Sequence, residues 1–165
     1  MTSPEAPRVH PLLADRAAGV LLHPTSLPSS DGAFGIGDLG PTARRFASWA
    51  ASAGLRRWQM LPIGPVGDGD CPYSARSSFA IEPMLTSVAD LVEDGYLPAS
   101  ATRIGREAST RADRGRASWR RARRWKRPLL EAAFRRFQTR RGRMGLHGAA
   151  AEEFRMRQAD WLDDW

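Results

Sequence analysis

Residues 18–85 constrain the fold most, because two short apolar runs each lead into a long loop. The runs are Ala18–Leu22 and Trp58–Leu61, and a segment with helical spacing lies between them. A strand, a helix and a strand in this order predict a parallel pair with a right-handed crossover. Both loops exceed the usual connection length of about 4–6 residues. Because ligands in parallel α/β folds bind at the loops that follow strands, the pattern predicts an α/β fold with a ligand site there.

The remaining elements are predicted to be mainly helical. Helical spacing begins at Pro41 and ends at Gly54, and Val88–Asp94 has the same character, whereas Met84–Ser87 is expected to be extended. An apolar stripe predicts a helix over Arg127–Arg141, and a last helix is expected over Ala149–Asp164 after a break. The residues of the stripe are Leu129, Leu130, Ala133, Phe134 and Phe137.

We divide the chain into four segments by composition. Residues 1–17 are expected to be a flexible leader, and residues 18–97 contain the strand and helix units. Residues 98–127 are rich in Arg and are interpreted as an insert or linker with some helix. Residues 128–165 form a helical segment that stops in the middle of its pattern.

Basic residues are concentrated in the second half of the chain. Residues 101–165 contain 18 basic and eight acidic side chains, whereas residues 1–100 contain seven Arg and ten acidic side chains. Residues 116–127 interleave Trp119 and Trp125 with Arg and Lys, a pattern typical of nucleic-acid-binding surfaces. A solvated helix face has the same composition. No DNA- or RNA-binding motif accompanies the cluster, so a nucleic-acid partner is not favoured.

Cysteine use and hydropathy indicate the compartment. Cys71 is the one cysteine, which excludes an internal disulfide. The N-terminal residues lack the apolar core of a signal peptide, and no apolar run is long enough to span a bilayer. We therefore expect a cytoplasmic protein without a membrane partner. The three His residues are scattered without the spacing of metal ligands, so neither a metal nor another cofactor is expected.

Gly35, Gly37 and Gly40 match the GxGxxG spacing of a phosphate-binding loop. Such a loop follows a strand immediately, whereas Gly35 lies well beyond the first apolar run, and Asp38 would repel a phosphate. The alternative is a turn into the helix at Pro41, with Asp38 near the helix N-terminus. The turn is the favoured interpretation.

The second long loop clusters carboxylates, a phenol and hydroxyl groups over residues 67–74. Carboxylates accept hydrogen bonds from sugar hydroxyls, and an aromatic ring covers the apolar face of a pyranose. Asp70, Cys71 and Tyr73 are therefore candidate sugar contacts, although a turn-rich surface loop has a similar composition. His23, at the end of the first run, is either a donor to a substrate hydroxyl or an anchor for its own loop.

Several motifs, in this order and spacing, resemble the N-terminal part of the 4-alpha-glucanotransferases, also called amylomaltases or disproportionating enzymes. The resemblance covers most of the chain and is weak over residues 98–118. The matching segments are 19–28, 35–40, 58–62, 64–65, 69–70, 72–73, 78–80, 91–95, 125–130 and 161–164.

The resemblance implies a (β/α)₈ barrel that transfers α-1,4-glucan segments between maltodextrins, in glycogen and starch metabolism. It implies a retaining mechanism in which an Asp nucleophile, a Glu acid/base and a second Asp all come from later strands, beyond Trp165. Tyr73 corresponds to a tyrosine that contacts the sugar beside the bond that is cleaved. No catalytic residue is therefore expected within this chain.

Chain length supports an incomplete barrel, because a (β/α)₈ barrel needs about 250 residues. We expect an N-terminal fragment with a helical insert, or alternatively a non-catalytic remnant that binds glucans. Two positions depart from the pattern of the family. Cys71 stands where a Ser is usual, and residues 81–83 replace Gly-Asn-Pro, which removes a buried amide.

Overall fold

The computed structural model describes residue 10 and residues 16–28, 34–67, 69–108, 117–140 and 145–162. Two short strands and six helices lie in these ranges. The strands are β1 (Gly19–Leu21) and β2 (Arg57–Gln59). The helices are α1 (Pro41–Ser52), α2 (Val88–Glu93), α3 (Ala101–Ala108), α4 (Trp119–Arg140), α5 (Gly145–Arg157) and α6 (Ala159–Leu162). Single 3₁₀ turns form at Pro24–Ser26, Pro72–Ser74 and Pro83–Leu85.

Strands β1 and β2 pair in parallel, and Val20 lies opposite Trp58. Helix α1 forms the crossover and packs on the pair, with the rings of Phe46 and Trp58 edge to face at 4.8 Å. The indole N–H of Trp58 donates to the carbonyl of Leu22 at 2.7 Å. The predicted strand, helix and strand are therefore confirmed, and Trp58 contributes to packing.

The helices enclose the core of the described residues. One cluster joins Phe34 to Val88, Leu97, Ala101 and Ala133. A second, smaller cluster contains Ile36, Met84 and Ala122. Because α4 supplies residues to both clusters, it connects the loop after β1 to helices α2 and α3.

Helix α4 begins at Trp119, so the predicted start at Arg127 is wrong. Its first two turns are rich in Arg, which hid the periodicity, yet Ala122 and Lys126 are completely buried there. The Ser118 hydroxyl accepts a hydrogen bond from Arg121 N–H at 3.4 Å and so caps the helix. The described part of residues 98–127 thus packs into the core, while the division into four segments stays a prediction.

Two other local predictions need correction. Met84 and Leu85, expected to be extended, lie in a 3₁₀ turn because the Glu82 carboxylate caps the Met84 N–H. The predicted break before the last helix is also too long, because α5 begins at Gly145. Residues 1–9, 11–15 and 163–165, which include most of the expected leader, lie outside the described residues.

No helix in the described ranges combines the length and the apolar character that crossing a membrane requires.

Candidate functional site

The loop of residues 64–77, which follows β2, is closed at its base like a hairpin. Val66 and Ala75 form an antiparallel bridge, and Gly67 N–H donates to Ser74 O at 3.2 Å. A Cβ on Gly64 would lie 2.6 Å from the carbonyl oxygen of Ser77, so only glycine fits this approach. The backbone of the loop therefore has a defined course at the point where it leaves the sheet.

The tip of the 64–77 loop presents Tyr73 to solvent. Gly69 and Asp70 have φ angles of 88° and 58°, and Asp is among the residues that tolerate this region. The chain then enters the 3₁₀ turn Pro72–Ser74, closed by Ser74 N–H on Cys71 O at 3.0 Å. Tyr73 is 74% exposed and Cys71 is also exposed. The structure thus brings Asp70, Cys71 and Tyr73 together at one tip.

Glu82 fastens the base of this loop from inside the protein. One carboxylate oxygen accepts Met84 N–H at 3.0 Å, and the other accepts Val66 N–H at 2.9 Å. Glu82 N–H donates to Ile63 O at 2.8 Å, and the residue is buried. The departure from the amide expected at this position therefore leaves one buried and one partly buried N–H group satisfied by a carboxylate.

Arg123 of α4 reaches the tip of the loop. Its guanidinium donates to a carboxylate oxygen of Asp70, and the two side chains are 36% and 37% exposed. The guanidinium also lies 5.8 Å from the ring centroid of Trp119 on the same helix. Asp70 is therefore paired with a cation, and the loop tip is attached to α4.

Lys126, one turn further along α4, reaches the loop that follows β1. Its ammonium donates to Asp38 Oδ2 at 3.0 Å and to Met84 O at 2.6 Å. The other oxygen of Asp38 accepts Gly40 N–H at 3.1 Å, at the start of α1. Burial lowers the pKa of Lys126, and the nearby Asp38 carboxylate opposes that shift. This ion pair therefore joins α4 to the turn that precedes α1.

The three glycines of the GxGxxG pattern face protein atoms instead of a ligand cavity. A Cβ on Gly35 would lie 2.5 Å from Ser118 O, and one on Gly37 would lie 2.3 Å from Pro24 O. Gly37 N–H already donates to Thr25 O at 3.0 Å. The spacing therefore forms a closely packed turn, as the favoured interpretation predicts.

His23 follows β1 and faces its own turn. Its Nδ1 accepts Thr25 N–H at 3.3 Å and lies 2.8 Å from Thr25 Oγ1. Burial lowers the pKa of His23, while the carbonyl of Pro62 acts in the opposite direction. These contacts favour the anchoring role of His23 and do not join it to the 64–77 loop.

The two tryptophans of the basic cluster also pack inward. Trp119 lies against the cluster of Ile36, and Trp125 lies against the cluster of Phe34. The exposed charged side chains in the described part of the basic cluster are therefore Arg120, Arg124 and Arg127. The same described residues contain no group of three or more potential metal ligands.

Sequence reasoning missed Lys126, Arg123 and Glu82 as positioning groups. Lys126 carried one signal, since it is the one Lys among 25 basic residues. Arg123 is hidden in a run of similar side chains, and its partner lies 53 residues away. The sequence marked Glu82 only as a residue that differs from the amide expected at this position.

Comparisons with known proteins agree with these motifs. The family model described as 4-alpha-glucanotransferase matches residues 22–165. The 4-alpha-glucanotransferase of Thermus thermophilus is 41% identical over 150 residues, which are 91% of this chain and 27% of that protein. The enzyme of the same name from Synechocystis is 40% identical over 157 residues, covering 93% of this chain and 29% of that protein.

A solved structure, the amylomaltase from Streptococcus agalactiae in complex with acarbose, aligns with a TM-score of 0.70 at 25% identity. The alignment covers 91% of this chain and 28% of that one. This chain therefore spans less than a third of the length of these relatives. Since the family model covers most of the sequence, the chain belongs to the 4-alpha-glucanotransferase family.

Proposed function

We propose that this chain takes part in the transfer of α-1,4-glucan segments between maltodextrins by presenting the 64–77 loop to the sugar. The observation that carries the proposal is Tyr73, 74% exposed at the tip of a loop that is held at its base and at its tip. An exposed ring on a braced loop offers an apolar face to a pyranose at a small entropic cost. Membership of the 4-alpha-glucanotransferase family supports this substrate class.

We further propose that β1 and β2 are two strands of a (β/α)₈ barrel. Their parallel pairing and the crossover helix α1 are what such a barrel repeats. The 64–77 loop follows the carboxyl end of β2, the side of a barrel on which active sites form.

The described residues between 38 and 90 supply binding groups and not a pair of catalytic carboxylates. Asp38 pairs with Lys126, Asp70 with Arg123, and Asp90 with Arg44. The carboxylate of Glu82 accepts two backbone N–H groups. A retaining mechanism needs two carboxyl groups about 5–5.5 Å apart and free to react with the sugar. We therefore propose that these four carboxylates do not form the catalytic pair.

The binding role is tested by titrating the chain with maltoheptaose. We expect Tyr73→Ala to weaken binding about tenfold, because a contact of about 1.4 kcal/mol is lost. Trp49→Ala is the matched control, since Trp49 is also a largely exposed aromatic ring but lies on α1. Equal affinities of the wild-type chain and Tyr73→Ala would contradict the proposal.

The absence of catalytic carboxylates is tested by incubating the chain with maltotriose. We expect neither free glucose nor longer dextrins. Release of glucose that scales with the concentration of the chain would show that residues 1–165 contain a catalytic pair.

We also propose that the protein acts in the cytoplasm. Cys71 is free and exposed, which is typical of a reducing compartment. Cell fractionation followed by detection of the chain tests this location.

A further inference from the structure

We propose that Arg123 is a positioning residue for Tyr73, acting through Asp70 at the tip of the 64–77 loop. The inference rests on the proposed function, in which Tyr73 contacts the glucan. It also assigns a role to Arg123, a side chain of the basic cluster that neither belongs to the core nor is placed in contact with the sugar by the proposed function.

The first step is the attachment of Arg123 to a rigid support. Its neighbours on α4, Ala122 and Lys126, are completely buried, so the helix cannot shift locally without disturbing the core. The guanidinium lies over the ring of Trp119 one turn earlier, which favours a side-chain conformation directed at the loop. Arg123 therefore holds Asp70 from a fixed position.

The second step is the transmission from Asp70 to Tyr73. Only two residues separate them, and one is Pro72, whose ring fixes its φ angle. The turn closes with Ser74 N–H on Cys71 O at 3.0 Å, and Gly67 N–H on Ser74 O holds its far end. A displacement of Asp70 is therefore carried into the orientation of the Tyr73 ring.

The third step concerns the size of the effect. Both side chains are about one third exposed, so water and salt screen the pair. Exposed ion pairs of this kind shift an equilibrium by roughly fivefold or less. An ion pair of this strength does not determine the fold. It does change the fraction of molecules in which the loop holds Tyr73 in the orientation that binds the sugar. The apparent dissociation constant rises as that fraction falls.

The experiment uses the full chain labelled with 3-fluorotyrosine and ¹⁹F NMR. The chain has two tyrosines, and Tyr96, whose ring packs against Phe137 at 5.9 Å, is the internal reference. The variants are Arg123→Gln, Asp70→Asn and their combination, because Asn tolerates the φ angle of 58° at this position. Arg127→Gln, on the same helix and exposed, is the matched control.

We expect the Tyr73 resonance to move in both single variants and to move no further in the double variant. The Tyr96 resonance should stay in place. The dissociation constant for maltoheptaose should rise about two- to fivefold at low salt. This difference should vanish in 1 M NaCl, where the screening length is about 3 Å, and Arg123→Lys should restore part of the affinity.

Two results would separate the positioning role from the proposed function. An unmoved Tyr73 resonance, with unchanged affinity at low salt, would overturn the role of Arg123 even if the chain binds maltoheptaose. If both single variants move the resonance but the wild-type chain binds no maltoheptaose, Arg123 positions Tyr73 and the proposed function fails.

Discussion

Helix α4 holds two loops through two ion pairs that lie one turn apart and differ in burial. Lys126 and Asp38 have side chains that are 0% and 15% exposed, whereas those of Arg123 and Asp70 are 36% and 37% exposed. Each pair attaches a loop that follows a strand to the same helix. The chemistry is similar, so burial is the variable that distinguishes the two attachments.

Burial determines what each ion pair does. Removing one partner of a buried pair leaves an uncompensated charge and is strongly destabilising. Breaking an exposed pair costs little, because water solvates both groups. Asp38 and the backbone next to it are therefore part of the scaffold, whereas the tip of the 64–77 loop is held by a pair that water weakens. Helix α4 thus stabilises the fold through Lys126 and holds the tip of the 64–77 loop through Arg123.

The largest effect is expected from Lys126→Met. The substitution leaves the Asp38 carboxylate and Met84 O without their buried partner, so we expect a loss of about 3–5 kcal/mol in the free energy of unfolding. Urea denaturation followed by circular dichroism measures it.

The matched control for this change is Arg127→Met, because Arg127 is exposed on the same helix. It should change the free energy of unfolding by less than about 0.5 kcal/mol. If the two variants had equal stability, the contrast between a buried and an exposed attachment would be lost.

A smaller effect is expected when a methyl group is added to each loop. A Cβ at Gly37 would lie 2.3 Å from Pro24 O, so Gly37→Ala should cost near the upper end of the about 1–3 kcal/mol typical of overpacking. Gly69 has open space around it and a φ of 88°, so Gly69→Ala should cost about 1 kcal/mol from backbone strain alone. Thermal and urea unfolding measure both, and a reversed order would contradict the difference in packing between the loops.

The smallest effect is the pH dependence caused by His23, which supports the turn against which Gly37 packs. Because burial lowers the pKa of His23 below 6.5, the unfolded chain binds more protons than the folded chain between the two pKa values. The stabilising contribution is therefore complete above pH 6.5 and is lost as the pH falls through the lower, folded pKa. Tm should fall over this range, and His23→Asn should flatten the fall.

The matched comparison for that experiment is Thr25→Val, which removes the hydroxyl beside His23 Nδ1 and leaves the imidazole in place, so the fall in Tm should persist. A His23→Asn variant with the full pH dependence would show that another group causes it.

The sequence alone determined the local order of this protein. Two apolar runs with a helix between them predicted β1, α1 and β2, and Gly, Pro and Asp marked the loops that follow each strand. The motifs also indicated the family, and they singled out Tyr73. All of these signals lie within short windows, where periodicity and turn chemistry act directly on the chain.

Only the tertiary structure decided how the loops are held. Trp119–Arg127 gave no clear helical stripe, because a Lys occupies one of the two fully buried positions and the small Ala122 occupies the other, with Arg residues on both sides of it. Lys126 is stable in the core only because Asp38, 88 residues away, compensates its charge there. The roles of Arg123 and Glu82 likewise depend on partners distant in the chain. Such pairings depend on distance in space, which no local pattern of residues encodes.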